Sequence, residues 1–352
     1  ITGVAPELAT LADIGNPNYE KERRRTMTER VPTVSEIYAM GRENLKKVGI
    51  DWIFPRIAPA VKANRQYLDS LFYETRLFNP VEVDTSLDLF NLKLKTPVFC
   101  SAISRLPYMS ETGMADIAKG IADAGSLIML GIVNAADFQA AVDTGAPVVR
   151  IVKPFRKTER IYDEIRQAET QGCVAVGMDI DHFHGALMGG ERVRATDQFG
   201  PQPTEELRQL ISQTKLPFIV KGVLSVRDAE QALALGASAI VVSNHASGSF
   251  NFSVPSMIAL PKIAQSVGDK LTVLIDTGFE NGEDVFKALA FGAKAVGFGS
   301  SMILALAADG SRGVKLLVDQ ITAQLARTMA ATGCADLSAI DRSLIAEIPF
   351  RT

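Results

Sequence analysis

Three side chains of this sequence combine the types and positions that proton chemistry requires: His245, Lys221 and Asp181. Histidine is the side chain best matched to proton transfer near neutral pH, and a carboxylate can orient its ring and stabilise its charged form. Lys221 directly follows the apolar run 218–220. A lysine inside an apolar strand costs free energy unless it faces an anion or an electron-rich ligand. We therefore predict that the three residues face one ligand-binding cleft.

A metal site is the alternative use of the same cluster. The run 179–184 reads Asp-x-Asp-His-x-His. It contains His182 and His184, and His245, the third histidine of the chain, is expected at the same rim of the fold. Side chains alternate in direction along a strand, so the members of this run cannot all face one ion. On this ground we predict no metal site.

Two glycine-containing segments, 276–282 and 297–301, follow the last two apolar runs. Small residues let backbone N–H groups approach an anion, and a helix that begins there adds a favourable field. The segments therefore predict a phosphate site. Glu280 places an anion in the first segment, so ordinary tight turns remain the alternative.

The elements that position these residues follow a repeated pattern. From residue 96 the chain alternates a short apolar run with an amphipathic helix, which is typical of βα units around a parallel sheet. The predicted strands span 97–103, 126–131, 147–152, 173–181, 217–223, 239–244, 272–276 and 295–299. Eight such units predict an α/β fold, a closed (β/α)8 TIM barrel. A doubly wound open sheet is the alternative, but segment 101–108 is not the glycine-rich loop that such a sheet places after its first strand.

The chain before the barrel is expected to be helical and irregular. Residues 1–30 are polar and contain two prolines, which suggests an arm, and the capping box at 33–36 predicts a helix that stops at Gly49. We predict an N-terminal extension with barrel-closing helices over 1–95 and a barrel over 96–352, together forming one structural domain.

In barrels of this kind the active site lies at the C-terminal ends of the strands. The polar residues at the predicted strand ends are Ser101, Ser104, Asn134, Arg150, Lys153, Asp179, Asp181, His182, Lys221, Ser243, Asn244, His245, Asp276, Ser300 and Ser301. This dense polar ring predicts a binding site for a small molecule.

Composition narrows the classes of partner. A formal net charge of −3 gives no electrostatic footprint for nucleic acid, and no apolar run reaches the roughly 18 residues that span a bilayer. The three cysteines are far apart and form no CxxC pair, so neither a disulfide framework nor a zinc knuckle is expected. We predict a cytoplasmic protein that acts on a small molecule and binds neither nucleic acid nor membrane.

Four segments of the second half resemble a known family: 218–229 (FIVKGVLSVRDA), 240–245 (IVVSNH), 276–278 (DTG) and 284–293 (DVFKALAFGA). They are similar to the FMN-dependent 2-hydroxy acid oxidases and dehydrogenases, among them glycolate oxidase and lactate oxidase. The resemblance extends over about residues 33–345. It implies a TIM barrel, FMN as cofactor and a homo-oligomer, a tetramer or larger.

The resemblance also implies roles for individual residues. Lys221 would lie near the N1 and O2 edge of the flavin, His245 would be the base that removes a substrate proton, and Asp181 would be its carboxylate partner. The residues implied to contact FMN are Ala102, Ile103, Ser104, Gly131, Arg150, Asp179, Lys221, Ser243, Asp276, Gly278, Gly299 and Ser300.

Several positions depart from the family pattern. Gly248 stands where the family has the arginine that clamps the substrate carboxylate, and Glu280 and Ser300 stand where it has arginines on the FMN phosphate. The third strand has Arg150 and Val152 where a glutamine and a tyrosine are usual, Asp179 replaces a threonine, and Ile50 replaces a substrate tyrosine of the N-terminal helix. The candidates for a replacement cation are Arg105, Arg150, Lys153, Arg192 and Arg194, of which we favour Arg150.

These observations favour a divergent FMN-dependent oxidoreductase that acts on a CH–OH group. His245 would take a proton while a hydride equivalent passes to the flavin. Because a bidentate arginine is a major orienting contact for a carboxylate, simple lactate or glycolate is not the expected substrate. The alternatives are a non-redox lyase or isomerase and a flavin-free binding protein that uses the same cleft.

Overall fold

The structure is a computed structural model. It describes residues 30–50, 58–78, 80–104, 106, 110–183, 186–188, 192–194, 198–247 and 250–348. Val34–Thr352 forms one compact unit, and the fold is described for that unit. The predicted arm at 1–30 lies almost entirely outside the described residues.

The strands of the described residues, in chain order, are β1 (Leu71–Tyr73), β2 (Leu87–Leu89), β3 (Leu92–Leu94), β4 (Val98–Ile103), β5 (Ile128–Leu130), β6 (Val148–Val152), β7 (Ala175–Asp179), β8 (Ala186–Met188), β9 (Arg192–Arg194), β10 (Phe218–Val223), β11 (Ala239–Val242), β12 (Thr272–Asp276), β13 (Ala295–Phe298) and β14 (Ile345–Glu347). The α-helices are α1 (Val34–Lys47), α2 (Pro59–Asp69), α3 (Gly113–Ala124), α4 (Ala135–Val142), α5 (Thr158–Thr170), α6 (Thr204–Gln213), α7 (Val226–Ala234), α8 (Ser256–Val267), α9 (Gly282–Ala290) and α10 (Ser300–Thr332).

Eight of these strands form a closed parallel barrel in the order β4-β5-β6-β7-β10-β11-β12-β13, and β13 pairs with β4 to complete the ring. Between successive barrel strands the chain returns through a helix, as parallel pairing requires. The predicted (β/α)8 TIM barrel is thus confirmed. The remaining strands form the antiparallel pairs β1-β14, β2-β3 and β8-β9.

The apolar core has two layers, because successive side chains of a strand point to opposite faces. Inside the barrel, Phe99, Met129 and Ile151 belong to one buried cluster. Val148 and Val152 belong to a second cluster, which fills the space between barrel and helices. Parallel strands covered on both faces read as continuous apolar runs, which is why these segments were recognisable in the sequence.

One end of the barrel is filled by the hairpin β2-β3, whose leucines pack into the inner cluster. We expected the N-terminal helices to close the barrel. Instead α1 packs closely on α10, where a Cβ atom at Gly41 would collide with the backbone of Leu304.

In the described part of the chain, no helix is long and apolar enough to cross a membrane.

Candidate active site

The candidate residues meet because the barrel strands that carry them are neighbours. β7 ends at Asp179, in register with Lys221 of β10, and Lys221 is in turn in register with Val241 of β11. His245 lies three residues beyond the end of β11, and Asp276 ends β12. The C-terminal ends of four adjacent strands therefore bring the predicted polar residues to one mouth of the barrel.

Lys221 is almost completely buried between two carboxylates. Its Nζ atom lies 3.4 Å from Asp179 Oδ1 and 3.4 Å from Asp276 Oδ2 and donates to Ser243 Oγ at 3.1 Å. Burial opposes the charged form, but Asp276 and Asp179 outweigh it and hold the pKa of Lys221 above its usual range. Lys221 is a fixed positive charge.

Asp179 joins Lys221 to a second buried cation. Its Oδ2 atom lies 2.5 Å from Lys153 Nζ, and neither side chain is appreciably exposed. Burial alone would raise the pKa of Asp179, but the charges of Lys153 and Lys221 hold it below the usual range. Lys153 was one of five candidate cations in the sequence, whereas its pairing with Asp179 was not anticipated. A lysine and an aspartate at the ends of two neighbouring strands are the signal that could have revealed the pair.

His245 faces Asp181, as the sequence predicted. The His245 Nδ1 atom lies 3.4 Å from Asp181 Oδ2 and 3.8 Å from Asp179 Oδ1. Although burial alone would raise it, the pKa of Asp181 is held well below its usual range by the charge of His245. A carboxylate that stays ionised beside an imidazole can orient the ring and stabilise it once protonated. His245 has a φ of 53° and the next residue, Ala246, a φ of 51°.

His182 lies beside Asp181 and His245. Alternation of side chains along a strand was expected to keep these residues from facing one point. Its Nδ1 atom lies 3.6 Å from Asp181 Oδ1, and its ring centroid lies 4.2 Å from that of His245. β7 ends at Asp179 rather than at 181, and a 3₁₀ turn over Ile180–His182 follows. Alternation does not apply in a turn, so Asp181 and His182 face the same side. Burial, together with the charge of His245, lowers the pKa of His182 to about 4.

A cavity of about 460 Å³ opens beside this cluster. The predicted residues that line it are Ala102, Ile103, Ser104, Lys221, His245, Asp276, Gly278, Gly299 and Ser300. Asp179, Asp181 and Ser243 contact Lys221 or His245 and thus support the lining. Gly131 approaches Ser104 so closely that a Cβ atom would collide with the serine hydroxyl.

Arg150 does not reach this site, which corrects its expected role. It lies on the outer face of β6, where its guanidinium donates to Glu164 Oε2 at 2.9 Å and lies 5.3 Å from the centroid of the Phe138 ring. Because the interior positions of β6 are Val149 and Ile151, alternation continues to Lys153, not to Arg150 and Val152. Lys153 therefore joins the buried charge cluster beneath the cavity through Asp179.

Of the other candidate cations, Arg105 lies outside the described residues, as does the departure at Gly248. The same holds for the side chains of Arg192 and Arg194, and for His184. Ile50 is buried in the outer core. Within the described residues, Lys221 is the only lysine or arginine that lines the cavity.

The loop after β12 and the start of α10 also line the cavity. Thr277 and Gly278 have φ values of 81° and 82°, and the Asn64 amide of α2 donates to the Thr277 carbonyl at 3.0 Å. Gly299, Ser300 and the helix N-terminus supply hydroxyl and backbone N–H donors. Such donors suit a phosphate even where no arginine is present.

These features fit a flavin nucleotide. The volume is that of a typical cofactor pocket, and its lining combines a buried lysine with the backbone and hydroxyl donors of the two loops. The fit rests on donors and shape, since Glu280 and Ser300 leave the phosphate end without the two arginines expected there.

Comparisons with known proteins agree with this fit. The family described as FMN-dependent dehydrogenase matches residues 58–202 and 184–347. The 4-hydroxymandelate oxidase of Amycolatopsis orientalis is 26% identical over 313 residues, covering 80% of this chain and 88% of that protein. Glycolate oxidase of Spinacia oleracea is 25% identical over 354 residues, covering 90% of this chain and 96% of that protein. A crystal structure of mandelate oxidase superposes with a TM-score of 0.82 at 26% identity, covering 91% of this chain and 98% of that one.

The matched residues span most of the chain, and both of these relatives are oxidases. FMN is accordingly the cofactor, and the protein is an oxidoreductase. This chain belongs to the FMN-dependent dehydrogenase family.

Proposed function

We propose that the protein oxidises the CH–OH group of a 2-hydroxy acid, or of its amide or ester, with His245 as the base. The observation that carries this proposal is the contact of 3.4 Å between His245 Nδ1 and Asp181 Oδ2 at the edge of the cavity that Lys221 enters. Asp181 keeps the ring oriented with its other nitrogen, Nε2, free to take a proton. As the imidazole becomes charged, the same carboxylate stabilises it.

The other residues hold the ligands in place. Bound FMN supplies the acceptor for the hydride equivalent that leaves the substrate carbon. Lys221 would bind the electron-rich edge of the cofactor, while Gly278, Gly299 and Ser300 would bind its phosphate. Ala102, Ile103 and Ser104 would form the wall against which its ring system lies.

The charges of the cavity favour a substrate without a free carboxylate. Lys221 is the only lysine or arginine among the described lining residues, and Asp179 and Asp276 already neutralise it. Among the described lining residues a carboxylate would therefore meet no cation that is not already paired, and an unpaired buried charge is unfavourable. A variant of mandelate oxidase has been crystallised with 2-hydroxy-phenylacetamide, which is a neutral compound of this class.

The role of His245 can be tested by anaerobic reduction of the bound flavin, followed by its absorbance. We expect His245→Gln to retain FMN and to be reduced about 10²–10⁴-fold more slowly, which is the usual contribution of a general base. Lys62→Gln, on the exposed surface of α2, is the control for purification and flavin content. An undiminished rate in His245→Gln would remove the histidine from the mechanism.

Substrate class is tested with two matched compounds, mandelate and 2-hydroxy-phenylacetamide. We expect the amide to reduce the flavin faster than the acid at equal concentration. A strong preference for the acid would contradict the neutral-substrate proposal and would direct attention to Arg105, Arg192 and Arg194.

We also propose a cytoplasmic homo-oligomer. Four apolar residues that follow the His245 turn, Phe250, Phe252, Val254 and Ile258, are exposed, and such a patch is typical of a subunit interface. All three cysteines are free and buried, which supports a reducing compartment. Cell fractionation with an antibody against the protein tests its location.

A further inference from the structure

Asp181, His182 and His245 bring one carboxylate oxygen and two imidazole nitrogens close to one another. The three ligand atoms lie within 4.8 Å of one another, and the Nδ1 atoms of His245 and His182 are 3.4 Å and 3.6 Å from the two Asp181 oxygens. Around a tetrahedral zinc ion with bonds of about 2.0–2.1 Å, neighbouring ligand atoms are about 3.3 Å apart. The two distances from histidine nitrogens to Asp181 oxygens are close to this spacing.

The hydrogen bonding of the cluster also favours a bound ion. The Nδ1 atoms of His182 and His245 make no hydrogen bond of ordinary geometry within the described part of the chain, since each faces Asp181 at 3.4 Å or more, although both side chains are mostly buried. Buried polar atoms without partners are uncommon, and an ion is one of the groups that satisfies them. A second carboxylate, Asp179, lies 3.8 Å from His245 Nδ1. It adds negative charge on the side of the cluster nearest Lys221.

We propose that Asp181, His182 and His245 bind a zinc ion, or another transition metal that accepts imidazole and carboxylate ligands. Two histidines and one carboxylate are the ligand set of several three-ligand zinc sites, in which water takes the fourth position. Because His245 lines the cavity, the ion can enter through the cavity mouth. The 3₁₀ turn at Ile180–His182 creates the site by placing two successive side chains on one side.

The ion would control the reaction, and this part of the inference rests on the proposed role of His245. Coordination through Nδ1 requires the neutral ring to carry its single proton on Nε2. That nitrogen then donates a hydrogen bond and cannot accept the substrate proton. His245 therefore cannot bind zinc and act as the base at the same time.

Binding is measured by titrating zinc chloride into the EDTA-treated, FMN-loaded protein in a calorimeter, with magnesium chloride as the control ion. We expect one zinc per chain and no magnesium. His182→Phe should weaken zinc binding about tenfold or more, while His184→Phe, the same change at the third histidine, should leave it unaltered. No zinc binding by the unmodified protein, or an equal loss in both variants, would overturn the site.

Inhibition is measured separately, as flavin reduction by whichever of mandelate and 2-hydroxy-phenylacetamide reacts faster. Zinc should slow this reduction and EDTA should restore it, whereas the rate of His182→Phe, measured relative to its own zinc-free rate, should change little when zinc is added. His182→Gln provides a second variant if the phenylalanine disturbs folding, judged by circular dichroism. Zinc that inhibits both His182 variants as strongly as the unmodified protein overturns the inhibitory mechanism. If zinc binds but His245→Gln still reduces its flavin at full rate, the base assignment fails and the metal site stands.

Discussion

Lys153 and Asp179 form a buried ion pair whose two members depend on each other. We expect Lys153→Met to leave Asp179 under-compensated and to lower the free energy of unfolding by about 3 kcal/mol. Adding Asp179→Thr in the same chain should recover much of that loss, because no uncompensated carboxylate remains. Urea unfolding of both variants measures the difference. Equal losses in the single and the double variant would show that the pair is not coupled.

Thr277 occupies a backbone conformation that β-branched residues rarely adopt. Its φ of 81° costs an L-residue about 1–2 kcal/mol relative to glycine. The matched variants are Thr277→Gly and Thr277→Ala, since both lose the hydrogen bond of 3.0 Å from Oγ1 to Asp276 and only alanine keeps Cβ. We expect glycine to be the more stable of the two by about 1 kcal/mol once its extra unfolded-state entropy is deducted. Thermal unfolding that ranks alanine first would contradict this.

Among the elements, α2 holds the loop that would receive the cofactor phosphate. Asn64 donates to the Thr277 carbonyl at 3.0 Å and accepts from the Met257 N–H at 2.9 Å. Asn64→Ala should therefore raise the dissociation constant of FMN several-fold and lower stability by about 1–3 kcal/mol, because buried polar groups lose their partners. Asn64→Asp keeps the acceptor and loses only the donor, so its effect on Met257 should be smaller. Fluorescence titration with FMN provides the measurement, and unchanged affinity in Asn64→Ala would exclude this role of the helix.

The elements also show what the sequence could and could not predict. The eight barrel strands were recognisable because buried parallel strands are continuous apolar runs. The same property hides which side chains face inwards: the run Val148–Val152 is buried on both faces, so Arg150 could be assigned to the wrong face. Likewise, nothing in the alternation of 173–181 indicates that the strand ends at Asp179 and that a 3₁₀ turn gathers Asp181 with His182. His245 and Lys221 were found because polar residues at strand ends stand out against apolar runs.

For the molecule as a whole, the exposed apolar patch at 250–258 provides a test of assembly. Phe252 is 85% exposed. Its replacement should therefore leave the free energy of unfolding of a monomer unchanged. We expect Phe252→Ser to shift the protein towards smaller species in light scattering coupled to size exclusion. Phe78→Ser, at a residue that is also largely exposed but lies far from this segment in sequence, is the control. A monomeric unmodified protein would refute the assembly proposal.

The two buried lysines at the barrel mouth are both paired with carboxylates, since Lys153 faces Asp179 and Lys221 faces Asp179 and Asp276. A flavin that gains electrons becomes more anionic, and an uncompensated cation beside it makes that gain easier. Here the lysine that would serve this purpose is already neutralised by two carboxylates. The bound cofactor should accordingly have a low midpoint potential and bind sulfite weakly, and Asp179→Asn should raise both the potential and the sulfite affinity. In this barrel the ion pairs would therefore set the thermodynamic driving force for electron transfer, and with it the range of electron acceptors that the enzyme can reduce.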